Sequence, residues 1–180
     1  MSKKSSNHDI ETKLIHCGHE PDLSTGALAS PIYQTATFAA KSVEHFDQLC
    51  DDFGYIYSRE SNPTLTELEL KLAMLEGGEC ALVTTSGMGA ITTTFLTLLK
   101  TGDHVISCEG IFAQTEIFFR ELLGKFGVEI TFIDLNDLDE VKSNIKKNTK
   151  IIYGESPLNP SLRLIDIQKL AEITQQNEIL

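Results

Sequence analysis

Positive charge is scarce in this chain of 180 residues: Lys and Arg number 15 against 26 Asp and Glu, a net charge of −11. An acidic surface of that size repels phosphate backbones and anionic headgroups, so neither nucleic acid nor membrane is expected as a partner. Cysteine is sparse as well, and Cys17, Cys50, Cys80 and Cys108 include no C-x-x-C pair. Cys80 and Cys108 flank or end apolar runs, where a reduced cysteine packs as a small apolar residue. No apolar run has the length needed to cross a bilayer. The start of the chain, Met1 to Asp9, lacks the apolar stretch of a signal peptide. The expectation is a cytoplasmic protein with free thiols. There is no G-x-G-x-x-G, no Walker lysine behind a glycine turn, no internal repeat and no low-complexity tract. The apolar share, 41%, suits a packed core rather than a disordered chain.

The stretch Cys80 to Leu99 carries the first chemistry. Ala81 to Thr84 is a short apolar run with a β-branched end and predicts a buried strand. From Ala90 to Leu99, apolar residues at Ile91, Phe95, Leu98 and Leu99 predict a helix. Ser86-Gly87-Met88-Gly89 lies between them. A small-residue turn there leaves backbone N–H groups unpaired at a helix N-terminus, where the helix dipole favours an anion such as phosphate. Glycine lets a ligand approach the backbone closely. An ordinary tight turn is equally open on this stretch alone.

Before it, Met1 to about Glu11 is polar and expected to be disordered. His16-Cys17-Gly18-His19 holds three potential metal ligands, but no second ligand cluster follows, so it reads as a turn with hydrogen-bonded histidines and no metal site. Pro21 to Phe38 reads as an extended arm, sensible if it lies on another subunit. Ser42 caps a short helix with Val43, Phe46 and Leu49 on one face. Tyr57 and Arg59 lie on a loop just before a helix from Pro63 to Glu76. That helix has Asn62 as N-cap, Pro63 at its first position and Gly77-Gly78 as its end. Its apolar stripe is Leu65, Leu68, Leu72 and Leu75, with Glu67 and Lys71 paired outside. An arginine at position 59 is either solvated or a phosphate clamp.

After it, predicted strands and helices alternate. Strands are expected at His104–Cys108, Val128–Ile133 and Lys150–Tyr153, and helices at Thr115–Phe126, Asp137–Ile145 and Asp166 to about Gln175. This pattern predicts an α/β fold: a mostly parallel sheet with helices on both faces. Ligands gather at the carboxyl ends of such strands. Those ends are Ser86-Gly87-Met88, Glu109 to Phe112, and Gly154 to Asn159. The chain stops at Ile179-Leu180, where another strand is expected.

Seven pieces in order resemble the trans-sulfuration family of pyridoxal-phosphate (PLP) enzymes. They are His16-x-Gly18, Pro31-Ile-Tyr-Gln-Thr-x-Thr-Phe38, Tyr57-Ser-Arg-x-x-Asn-Pro-Thr64, Leu75-Glu-Gly-Gly-Glu79, Ser86-Gly-Met88, Gly102-Asp-His-Val105 and Glu155-Ser-Pro-x-Asn-Pro160. The group holds cystathionine γ-synthase, cystathionine lyases, methionine γ-lyase and O-acetylhomoserine sulfhydrylase. The resemblance implies the type I PLP fold, with residues 1–61 as an arm in dimer contact and 62–180 as part of the PLP-binding large domain. It implies a cofactor phosphate held by Ser86, Gly87 and Met88, and across the interface by Tyr57 and Arg59 of a neighbouring subunit. Asn159 is implied to bond the cofactor's phenolic oxygen, and Phe112 to stack on its ring. The substrate class implied is sulfur amino acids or homoserine esters, in a homo-oligomer built as a dimer of dimers.

Two departures stand out. Where the family has Tyr-Gly-x-Thr, this chain has Phe112-Ala113-Gln114-Thr115, so the stacking ring lacks a hydroxyl, and Gln114 stands where methionine γ-lyases carry cysteine. The family's lysine that holds the cofactor covalently lies after Glu-Ser-Pro-x-Asn-Pro. Asn148-Thr149-Lys150 precedes that motif, and Lys150 reads as the solvated start of a strand. The expected whole is an enzyme of elimination or replacement at a β or γ carbon, of which this chain is the N-terminal part. The alternatives are an inactive fragment and an unrelated nucleotide-binding α/β domain.

Overall fold

The computed structural model describes residues 9–180, so most of the polar stretch before Glu11 lies outside the described residues. The chain forms two compact units, one ending at Val83 and one spanning Thr84–Leu180.

In the first unit, α1 (Ile10–His16) leads into Gly18. Gly18 has φ +71, and a Cβ there would sit 2.7 Å from the Lys71 nitrogen. Only glycine allows both the left-handed turn and this approach to a helix backbone. The arm from Pro21 to Phe38 has no regular structure before one antiparallel bridge, Thr37 to Tyr57. An Asp22 turn opens it: the carboxylate accepts from the Ser24 and Thr25 hydroxyls at 2.6 and 2.7 Å, and these bonds lower its pKa to about 2.

Helix α2 (Val43–Asp51) is capped by Ser42, whose hydroxyl accepts from His45 N–H at 3.2 Å. Helix α3 (Pro63–Glu76) begins with Asn62 accepting from Thr64 N–H at 2.9 Å and Pro63 in the first turn. It ends at Gly77 in the left-handed conformation. All three capping features follow from the sequence. The packing does not. The stripe expected to be covered keeps Leu65, Leu68 and Leu72 exposed, and Ala73 is the buried residue of α3. Glu67 does not pair with Lys71. Its carboxylate lies 3.2 Å from His19 Nδ1, because the turn at Gly18 presses the arm onto this face of α3.

In the second unit, a parallel three-stranded sheet runs in the order β2 (Glu129–Ile133), β1 (His104–Cys108), β3 (Thr149–Tyr153). β1 is buried at every residue, as the apolar run in a central parallel strand requires. Register places Ser107 between Phe132 and Tyr153, so these three share one face. On it sits an aromatic cluster: Phe119 lies 4.7 Å from Phe95, 5.4 Å from Tyr153 and 6.5 Å from Phe132, centroid to centroid. Gly154 belongs to the opposite face, where a Cβ would meet Ile165 at 2.7 Å and Leu135 at 2.9 Å. Helices α6 (Leu138–Asn144) and α7 (Ile167–Gln176) add Val141, Leu170 and Ile173 to the core, and Asp137 and Asp166 cap them as N-terminal acceptors. Leu180 N–H donates to Lys150 C=O and Leu180 C=O accepts from Ile152 N–H, the two bonds of a parallel bridge about Ile151.

Two further expectations need correction. The stretch 81–84 is not a strand: Leu82 is exposed, and Val83 N–H donates to the Glu69 carboxylate rather than to a ladder. A strand exists only with a neighbour, and an apolar run cannot supply one. The helix expected over Thr115–Phe126 is α5 (Ala113–Ile117) continued by a π-helical segment, Phe118–Leu123, and a 3-10 turn, Gly124–Phe126.

Candidate functional site

Ser86 is the N-cap of α4 (Gly87–Leu98), three residues earlier than the apolar spacing indicates. Its backbone is extended, and its hydroxyl accepts from Gly89 N–H at 3.0 Å. Ala90 N–H donates to Ser86 C=O, the first full turn of the helix. The third donor of the first turn is thus satisfied by the cap. The first two, Gly87 and Met88 N–H, have no acceptor among the described residues. Two adjacent free donors at the positive end of a three-turn helix form a small anion cradle. A Cβ at Gly87 would meet nothing within 4 Å, so the space beside that donor is open. At Gly89, by contrast, a Cβ would come within 3.2 Å of Ser86 Oγ. A phosphate fits this cradle: it needs acceptor-hungry donors and room, and both are present.

The carboxyl ends of β1 and β3 lie next to each other because the strands are paired neighbours. After β1, Phe112 stands at the start of α5 with its ring exposed. After β3, Glu155 accepts from Phe112 N–H at 3.1 Å through Oε2 and 3.3 Å through Oε1. Glu155 Oε1 also accepts from the Tyr153 hydroxyl at 3.2 Å. Burial, then the Glu155 charge and hydrogen bond, push the Tyr153 phenol up to about 12, so it stays a donor at any physiological pH. Buried Thr115 donates to Met88 Sδ at 3.7 Å and ties the first turn of α5 to that of α4. The structure therefore links Ser86, Met88, Thr115, Phe112, Glu155 and Tyr153 through adjoining elements. Asn159 is exposed beyond buried Leu158, its amide without a partner among the described residues. The peptide bonds before Pro157 and Pro160 are cis. Lys150 is an exposed residue of β3.

Tyr57 and Arg59 belong to the first unit. The Arg59 guanidinium carbon lies 5.0 Å from the Tyr57 ring centroid, a cation–π arrangement. Arg59 has no carboxylate partner among the described residues. The loop that carries the pair is fixed at both ends. Ser58 N–H donates to Ala36 C=O at 2.9 Å, and its hydroxyl bonds Thr35 C=O. Buried Asn62 donates to Tyr33 C=O at 3.0 Å and to Ser58 Oγ at 2.9 Å. A charged fork on a braced loop, with no internal counter-ion, is suited to an external anion.

Of the turn before α2, Cys17 is buried and His19 Nδ1 lies 2.9 Å from Ser30 Oγ. Among the described residues no group of three His, Cys, Asp or Glu side chains is placed to hold a metal, and no helix is long and apolar enough to cross a membrane. Sequence reasoning missed the Glu155 bridge and the part of Tyr153. Glu155 was visible within Glu155-Ser-Pro-x-Asn-Pro160, but its partners were not.

Comparison with known proteins gives the same family throughout. The chain is 43% identical over 176 residues to the L-methionine gamma-lyase of Fusobacterium nucleatum subsp. polymorphum, covering 97% of this chain and 44% of that protein. It is 42% identical over 180 residues to the cystathionine beta-lyase of Bacillus subtilis (strain 168), covering all of this chain and 44% of that one. The crystal structure of cystathionine gamma-lyase from Lactobacillus plantarum with L-serine superposes with a TM-score of 0.86 at 36% identity, over 96% of this chain and 43% of that one. The chain thus spans less than half the length of each of these relatives. The family model of the Cys/Met metabolism PLP-dependent enzymes matches residues 11–180, and the chain belongs to that family.

Proposed function

We propose that the chain is the part of a cytoplasmic trans-sulfuration enzyme that holds PLP by its phosphate and by one face of its ring. The whole enzyme would catalyse elimination or replacement at the β or γ carbon of a sulfur amino acid or homoserine ester. The observation that carries this reading is the pair of unpartnered donors, Gly87 and Met88 N–H, at the start of α4. PLP, when bound, supplies an electron sink for proton removal beside an amino group. The chain's own residues orient it. Gly87 and Met88 donate to the phosphate, and Ser86 holds their backbone in place. The Phe112 ring covers one face of the cofactor, and the Asn159 amide donates to its phenolic oxygen.

Tyr57 and Arg59 hold the same phosphate in a neighbouring subunit of a homo-oligomer, a dimer of dimers. Two features support this. Arg59 has no carboxylate partner among the described residues, and the arm, α2 and the turn after it expose Ile32, Val43, Phe46 and Phe53. Residues 1–61 are then the intersubunit arm, and 62–180 belong to the cofactor domain.

The test is a graft. This chain replaces the matching N-terminal segment of the Fusobacterium nucleatum methionine lyase, and 2-oxo acid and thiol release are followed with L-methionine, L-cystathionine and O-acetylhomoserine plus sulfide. Turnover of at least one is expected. A folded, PLP-loaded graft that turns over none contradicts the reading. A second reading is favoured by the share of the relatives that the chain spans: these residues alone bind PLP and convert nothing. Borohydride treatment after dialysis of the chain with PLP then leaves no single lysine labelled in stoichiometric amount.

A further inference from the structure

We propose that Glu155 is a positioning residue that aims the Phe112 ring, an inference that rests on the reading of Phe112 as the ring stacked on PLP. Phe112 is 48% exposed, so packing does not enclose its side chain and the backbone sets where the ring departs. That backbone is held on both sides. Phe112 C=O accepts from Thr115 and Glu116 N–H at 2.9 and 3.1 Å. Phe112 N–H donates to the Glu155 carboxylate at 3.1 Å. Glu155 in turn is held by the Tyr153 hydroxyl at 3.2 Å. Tyr153 cannot move aside, because its ring stands edge-on to Phe95 and Phe119 at 5.4 Å each. The order runs outward from the core: locked tyrosine ring, hydroxyl, carboxylate, amide, exposed phenylalanine. A tyrosine at position 112 would bring a hydroxyl to fix its own ring. Phenylalanine has none, which leaves the task to the amide and its acceptor.

The test uses this chain with Glu155→Ala, Glu155→Gln, Glu155→Asp and Phe112→Ala. The first readout is exchange of the Phe112 amide without cofactor. The second is the visible circular dichroism of PLP added to saturation, which reports how the surroundings of the ring are ordered. Bonds to charged acceptors are the strong kind, so Glu155→Ala is expected to speed exchange of the Phe112 amide by about tenfold or more. Its PLP ellipticity is expected to fall to that of Phe112→Ala. Glu155→Gln keeps an acceptor at the same reach and recovers most of both signals. Glu155→Asp is one methylene short and does not. Unchanged amide exchange in Glu155→Ala would overturn the proposal. So would ellipticity kept there but lost in Phe112→Ala. Should Glu155→Ala unfold, the Gln–Asp contrast decides: Gln like the parent and Asp unprotected supports the role, and equal behaviour overturns it. Ellipticity that survives Phe112→Ala overturns the stacking reading instead, and amide exchange, which needs no PLP, tells the two failures apart.

Discussion

Arg59 presents a planar cation beside Tyr57, 5.0 Å from its ring centroid, on a loop that Asn62 and Ser58 brace. Charge-assisted bonds to phosphate contribute about 1.5–3 kcal/mol, so Arg59→Ala is expected to weaken PLP binding roughly ten- to a hundredfold. Arg59→Lys should recover only part, because a point charge does not replace a fork. Equilibrium dialysis of PLP against the three proteins checks this, and equal affinities would remove Arg59 from the site. His104 is the other residue with a consequence of its own. It is fully buried, with Nδ1 and Nε2 each 2.8 Å from a threonine hydroxyl, Thr149 and Thr131. Burial first, and then the charge of Lys146, hold its pKa below the usual 6.5, against the opposing charge of Glu129. The unfolded chain takes up this proton near pH 6.5 while the folded chain resists it. Stability is therefore present above that pH and is lost as pH falls below it. In urea unfolding between pH 7.5 and about pH 5, His104→Gln should start less stable and decline less steeply than the parent. Parallel declines would show that His104 does not carry the linkage.

At the level of elements, the aromatic cluster holds the sheet to its covering helices. Phe119 is fully buried and contacts Phe95, Phe118, Phe132 and Tyr153. Phe119→Ala should cost about 3–5 kcal/mol, read as a drop in the urea midpoint, whereas a loss under about 1 kcal/mol would place the core elsewhere. Much of this level was legible in the sequence. Asn62-Pro63 and Gly77 bound α3 because caps act locally, within a few residues. The strands β1, β2 and β3 were legible because short runs rich in apolar and β-branched residues leave a strong pattern, most of all in β1, which is buried at every residue. The stretch 81–84 carries a similar pattern and forms no strand, since pairing depends on a neighbour that local sequence cannot name. The π-helical segment Phe118–Leu123 was hidden as well: its apolar spacing satisfies a plain helix, and the adjustment comes from fitting Phe118, Phe119 and Leu123 into one core.

Across the whole molecule, the geometry of the candidate site was legible where a motif dictates the local backbone and illegible where contact comes from folding. Ser86-Gly87-Met88-Gly89 could be read as a turn with unpaired donors before a helix, since its residues are consecutive; that Ser86 is the cap and Gly87 the first helical residue could not. The bridge from Glu155 to Phe112 joins residues 43 apart and exists because β1 and β3 are neighbours in the sheet. The exposed stripe of α3, and an Arg59 with no carboxylate partner among the described residues, likewise depend on the fold and not on a local motif. Everything proposed for the cofactor nonetheless turns on the two donors at the start of α4. The most direct measurement follows the backbone amide signals of Gly87 and Met88 while PLP, and separately pyridoxal without its phosphate, is added to the chain. Saturable shifts of both amides with PLP and none with pyridoxal are expected. Amides that stay unmoved by PLP, or that move equally with pyridoxal, would contradict a phosphate site at this helix.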